Sequence, residues 1–155
     1  MTGQWVWNVV WASLPYVLGV TTVIFGKHID KYLIDKAKKI FTLPVVIGEK
    51  ASRYAILGMM ILPHLIVIYL IVIRYFTPVL LLVILAIPTF LKLYPQFLKP
   101  KPVERPADFP DGQGGWPLYF APQGFVNNRA FGMWFMLALI LDVILRSVFP
   151  SFWAM

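Results

Sequence analysis

Long apolar runs alternate with two polar stretches along this chain. Residues 4–25, 54–73, 76–91 and 129–148 are continuously hydrophobic, and residues 26–53 and 92–128 are not. A run of about 20 apolar residues is long enough to cross a bilayer core as a helix. A membrane barrel would need alternating apolar and polar positions, and these runs are unbroken. The pattern therefore predicts an all-α integral membrane protein with four transmembrane helices in one membrane domain over residues 1–155. Pro15, Pro63 and Pro88 fall inside runs and predict bends. Only Arg74 and Tyr75 separate the second run from the third, so these two form an antiparallel hairpin. Trp5, Trp7 and Trp11 gather at the start of the first run, as aromatics do at a membrane–water interface.

Charge adds topology. The loop after the first span carries Lys27, Lys31, Lys36, Lys38, Lys39, Lys50 and Arg53, and the loop after the third carries Lys92, Lys99, Lys101, Arg105 and Arg129. Only Arg74 and Arg146 fall on the other side. This asymmetry predicts both long loops on the cytoplasmic side and both termini opposite. The net charge of +7 is then explained by lysines that flank spans and meet anionic head groups. No basic helix or aromatic–basic platform lies outside the membrane, which argues against a nucleic-acid partner. The chain has no cysteine, which excludes disulfides, thiolate metal sites and cysteine nucleophiles. The start lacks the basic n-region and cleavage site of a signal peptide, and the first span begins almost at Met1.

Candidate chemistry sits in GKHIDKYLIDKAKKIFTLPVVIGEK, residues 26–50. Acids at a membrane boundary amid lysines suit a diphosphate. Carboxylates hold Mg²⁺, the metal bridges phosphate oxygens, and lysines neutralise the remaining charge. Asp30 and Asp35 are the acids. They are five residues apart, about 140° round a regular helix, so an irregular helix is needed to bring both to one metal. A solvated, topology-setting loop is the other reading of the same residues.

The string resembles the second aspartate-rich motif of the UbiA superfamily of intramembrane prenyltransferases. The matching pieces are Asp35-Lys36, Lys38-Lys39, Thr42-Leu43-Pro44-Val45 and Ile47-Gly48-Glu49. WPLYFAPQGFVNNRAFG leading into a last span resembles the C-terminal end of such enzymes, so the likeness covers nearly the whole chain. It implies a partial UbiA-type bundle, the C-terminal half of about nine helices around a cavity. It implies Mg²⁺-dependent transfer of a prenyl group from a prenyl diphosphate to a lipophilic acceptor such as a quinone or chlorin precursor. Carried over, Asp35 and Asp30 are the catalytic metal ligands, and Lys27, Lys31 and Lys36 contact the diphosphate. The family's first aspartate-rich motif is absent, and Lys31 stands where an acid would align. Lys39 or its neighbours replace a glycine that often follows the motif. Activity would then need another membrane chain to supply the missing half. The alternative is a non-catalytic accessory subunit of a larger complex, binding lipid, quinone or pigment.

Outside this stretch, His64 lies mid-span, where an ionisable group is a candidate ligand contact. Filling the carbonyl freed by Pro63 is its plainer role. Arg129 is a second candidate contact, toward head groups or a diphosphate. Asn127 or Asn128 is placed to cap the last span. Asp142 and Arg146, at i and i+4, are expected to pair on one helix face.

Overall fold

A computed structural model describes residues 3, 6–107 and 115–150. Trp5 and the aromatic end beyond residue 150 lie outside the described residues. All regular structure among the described residues is helical. Helix α1 spans Trp7–Asp30, α2 Tyr32–Ala37, α3 Leu43–Ile47 and α4 Glu49–Val72. A 3-10 segment over Pro78–Ala86 runs into α5, Ile87–Leu98, and α6 spans Phe120–Val148. Four stretches are long and apolar enough to cross a membrane: Trp7–Asp30, Glu49–Val72, Pro78–Leu98 and Phe120–Val148. At 1.5 Å per residue, about 20 residues already span the hydrocarbon. The length and composition of these helices are those of a multi-pass membrane protein.

The boundaries differ from the sequence expectation chiefly where the spans meet the two polar stretches. Every span is longer and both polar stretches are shorter. The stretch 26–53 contains the end of α1, all of α2 and α3, and the start of α4. Lys92 lies inside α5, and α6 begins nine residues before Arg129. Hydropathy marks where a helix leaves the apolar layer, whereas backbone hydrogen bonding continues until a cap or breaker stops it. Asn127 and Asn128 are therefore helix-interior residues and cap nothing at the start of α6. The prolines at 15 and 63 sit within α1 and α4 without ending either helix.

Each long helix buries one narrow stripe. On α6 the buried positions include Phe120, Gly124, Asn127, Phe131, Phe135, Ala138 and Asp142, the three-to-four spacing of one helical face. On α1 they are mostly small: Pro15, Gly19, Thr22, Phe25, Gly26 and Ile29. Small side chains let membrane helices approach closely, and α1 packs along α6 as well as α4. A Cβ on Gly26 would lie 2.9 Å from the Phe120 carbonyl carbon and oxygen, and one on Gly124 would lie 3.0 Å from the Thr22 carbonyl oxygen. In the 3-10 segment the buried residues are Leu80, Val83 and Ala86. Three residues per turn stacks i, i+3 and i+6 in one line, and that line faces α6. The hydroxyl of Thr22 donates to the Gly19 carbonyl at 2.6 Å and that of Thr21 to the Val17 carbonyl at 2.8 Å. These two hydroxyls of α1 are thus satisfied within the helix.

The core has two parts. One, around Val67, Leu70, Leu80, Val83, Phe131 and Phe135, lies toward the tight turn between α4 and the 3-10 segment. The other, around Phe25, Ile29, Ile56, Phe97 and Phe120, lies toward the end that carries both polar connections. Polar latches close each end. At the turn, Asp142 Oδ1 accepts from the Thr77 backbone N–H at 2.7 Å and Oδ2 from Arg146 Nε at 2.9 Å. Arg146 also donates to the Tyr75 carbonyl at 2.6 Å. The expected Asp142–Arg146 pair is present, and it also holds the hairpin turn against α6. At the opposite end, Arg53 donates to the Phe97 carbonyl at 3.1 Å and sits 3.3 Å from Glu49. This joins the start of α4 to the end of α5 and places both polar connections at one end of the bundle.

Candidate functional site

The end of α1 meets the start of α6 through Asp30. Its Oδ1 accepts from the Phe120 N–H at 2.9 Å and its Oδ2 from the Ala121 N–H at 3.0 Å. A helix start carries unpaired N–H groups and a positive dipole end, and a carboxylate satisfies both. Here the cap comes from a residue 90 positions earlier in the chain. Lys101 Nζ lies 3.4 Å from the Asp30 carbonyl and 5.3 Å from the Trp116 ring centroid, tying the second connection to the same junction.

Asp35 has a different setting. Its residue is 8% exposed, and its Oδ2 lies 3.8 Å from His28 Nδ1. The two acids singled out from the sequence therefore have separate settings, one bonded to the start of α6 and the other beside His28. The irregularity that the sequence argument required is present, because α1 ends at Asp30 and α2 starts at Tyr32 with Lys31 between them. Among the described residues no group of three or more His, Asp or Glu side chains is placed to hold a metal ion. With both Asp30 oxygens on backbone N–H groups, Asp35 is the acid of the pair without such bonds. A magnesium ion would need its other ligands from phosphate oxygens and from outside this chain, so these residues alone do not complete a metal site.

The lysines divide similarly. Lys27 lines a partly open groove of about 850 Å³ between α1, α5 and α6. Arg129, from α6, lines the same groove. Its walls are otherwise almost entirely apolar: Val23 and Ile24 on α1, and Pro122, Phe125, Val126 and Met133 on α6, with Thr89 as the uncharged polar group. No acid lines the groove, and among the described residues no acid pairs with the side chain of Lys27 or Arg129. Lys31 is exposed at the α1–α2 junction, and Lys36 is exposed on α2, its Nζ 5.7 Å from the Tyr32 ring centroid. Neither lines the groove.

This grouping depends on how α1 crosses α6. Residues 27 and 129 lie 102 positions apart in sequence, on α1 and α6, whose crossing is set by Gly26, Gly124 and the carboxylate at the junction. In the sequence Arg129 stands at the opening of the last apolar run, within reach of head groups or a diphosphate, and nothing local ties it to Lys27. His64, the other candidate contact, is buried in the bundle, its ring 5.0 Å from that of Phe131 in an edge-to-face arrangement. Its Nε2 has no hydrogen-bond partner among the described residues, and it does not line the groove.

An apolar trough with two cations and no acid suits an amphiphile with an anionic head. Positive side chains bind phosphate through charge-assisted hydrogen bonds, and apolar walls suit a hydrocarbon chain. No known family model matches the chain, and no curated protein or solved structure is significantly similar to it.

Proposed function

We propose that the groove binds an amphiphile with a phosphate-bearing head and a long hydrocarbon tail, and that this chain is the C-terminal half of a UbiA-type prenyltransferase for which that amphiphile is a prenyl diphosphate. The observation that carries the reading is Lys27 and Arg129 on one otherwise apolar groove at the end of the bundle where the motif-bearing connection begins. The motif string in residues 26–50 supports the choice of a prenyl diphosphate.

The reaction needs little from this chain beyond binding and electrostatics. The bond between the prenyl carbon and the diphosphate oxygen breaks, and the diphosphate leaves with the electron pair. The allylic carbon bonds to the acceptor, which loses a proton. Lys27 and Arg129 stabilise charge that grows on the leaving group in the transition state. Val23, Ile24, Phe125 and Met133 hold the tail and keep water from the allylic cation. Magnesium, when it accompanies the diphosphate, would add Lewis-acid stabilisation, with Asp35 as the acid of the pair that caps no helix. A second membrane chain supplies the other acidic motif and the acceptor pocket. Lys31 and Lys36 do not line the groove, and the binding proposed here does not draw on them. One observation favours the non-catalytic alternative, a lipid-, quinone- or pigment-binding accessory subunit: Asp30 is committed to capping α6.

The test uses the full chain in phosphatidylcholine nanodiscs. Binding of a long-chain prenyl diphosphate is compared with binding of the corresponding prenyl alcohol. The diphosphate should bind in preference, and Lys27→Ala and Arg129→Ala should each weaken it about tenfold, the usual scale of one charged hydrogen bond. Equal affinity for diphosphate and alcohol, or no change in either variant, defeats the groove assignment. With a co-purified partner chain, Asp35→Ala should abolish prenyl transfer while Asp142→Asn leaves it largely intact. Transfer that persists in Asp35→Ala removes the catalytic reading and leaves the binding subunit.

A further inference from the structure

Residues 31–48 join the ends of two spanning helices, and α3 folds back on α1 and α4. The segment therefore lies where the spans leave the apolar layer. Within it the side chains of Leu33 and Phe41 are among the most exposed in the protein, at 76% and 79%, and Leu43 and Val46 are also exposed. Interleaved with them, Lys31, Lys36, Lys38 and Lys39 are exposed as well. The one acid in the segment, Asp35, is buried beside His28. Apolar groups held in water forfeit hydrophobic stabilisation, so this surface calls for a cover. The absence of any exposed acid among the four lysines makes the fitting cover anionic.

Lys39 provides a separate observation. Its φ is 56°, the left-handed region that glycine enters freely and lysine does not. The backbone at this turn favours glycine, and the chain carries a cation there instead. That choice follows if the charge itself is used.

We propose that residues 31–47 form a membrane-surface anchor for anionic lipid. Leu33, Phe41, Leu43 and Val46 enter the boundary between head groups and acyl chains, and Lys31, Lys36, Lys38 and Lys39 meet lipid phosphates. Short amphipathic segments bind bilayer surfaces by this combination of apolar insertion and attraction to anionic head groups. The anchor does not depend on what the groove between α1, α5 and α6 binds.

The chain's lack of cysteine allows a direct experiment. Phe41→Cys carries the only thiol and is labelled with an environment-sensitive bimane. The full chain is placed in nanodiscs of phosphatidylcholine, or of phosphatidylcholine with about one third phosphatidylglycerol, each with a head-group-proximal doxyl lipid as quencher. Leu65→Cys, exposed in the middle of α4, reports correct insertion with a deep quencher in every sample. The anchor predicts quenching at position 41 that rises roughly twofold or more with anionic lipid and returns to the phosphatidylcholine level in K36Q/K38Q/K39Q. Absent quenching in both lipids, as water or a protein partner over this surface would give, overturns the proposal. So does quenching indifferent to lipid charge or to the lysine substitutions.

Discussion

Asp30 at the end of α1 accepts a 2.9 Å hydrogen bond from the backbone N–H of Phe120 at the start of α6. With the Ala121 N–H on its other oxygen, this carboxylate sets where α6 begins and how it crosses α1. Asp30→Ala should therefore destabilise the bundle by about 1–2 kcal/mol, the scale of a lost helix cap. Asp30→Asn keeps one acceptor oxygen and should cost less. Thermal unfolding in detergent, followed by tryptophan fluorescence, checks both. An Asp30→Ala protein that melts like wild type yet loses prenyl transfer would assign the carboxylate to chemistry instead.

Gly26 lies one turn before Asp30 and faces the same junction. A methyl group there would press on the Phe120 backbone, which cannot rotate away as a flexible side chain could. Gly26→Ala should lower stability by about 1–3 kcal/mol, as overpacking usually does. If the groove binds prenyl diphosphate as proposed, the same substitution should weaken that binding, because separating α1 from α6 moves Lys27 away from Arg129. Gly58, whose added Cβ would meet nothing within 4 Å, is the control. Gly58→Ala should be neutral or slightly stabilising in the same melting assay.

Asp142 holds the turn at the far end through Thr77 and Arg146. Asp142→Leu leaves the Thr77 N–H without its acceptor and should cost about 1–3 kcal/mol. Arg146→Gln should cost less, since the arginine side chain is 38% exposed and water can replace part of what it gives. Hydrogen exchange of the amides at residues 75–80 should rise in Asp142→Leu and stay near wild type in Arg146→Gln. Equal exchange in wild type and Asp142→Leu would show that the turn holds without the latch.

Lys39 adopts a left-handed conformation that costs a side-chain-bearing residue about 1–2 kcal/mol relative to glycine. Lys39→Gly should raise the melting temperature in neutral detergent, partly offset by the entropy that glycine gains in the unfolded chain. In anionic nanodiscs the same substitution should reduce lipid quenching at position 41. A fall in melting temperature in neutral detergent would show that the lysine side chain stabilises the fold itself.

The number, order and antiparallel connection of the spans were legible from hydropathy, because crossing a bilayer places a length requirement on each continuous apolar run. The Asp142–Arg146 pair was legible because i and i+4 share a helix face whatever the tertiary context. Span ends were less so. Lys27, Asp30 and Lys92 read as loop residues, yet their backbones remain helical, since charged side chains at a membrane boundary do not break a helix. Asn127 read as a cap because it stands at the edge of an apolar run, whereas α6 starts seven residues earlier and takes its cap from α1.

Sequence alone thus determined an all-helical chain with four apolar runs long enough to cross a membrane and the charged residues at their edges, because both follow from local composition and spacing. Only the tertiary structure decided which of those residues meet. It gave Asp30 to the start of α6, set Asp35 beside His28, and put Lys27 on one groove with Arg129, 102 residues later. The physical reason is that no local periodicity relates α1 to α6. Their register comes from the fit of Gly26 and Gly124 against the facing backbone, and from a carboxylate meeting two unpaired N–H groups at a helix end.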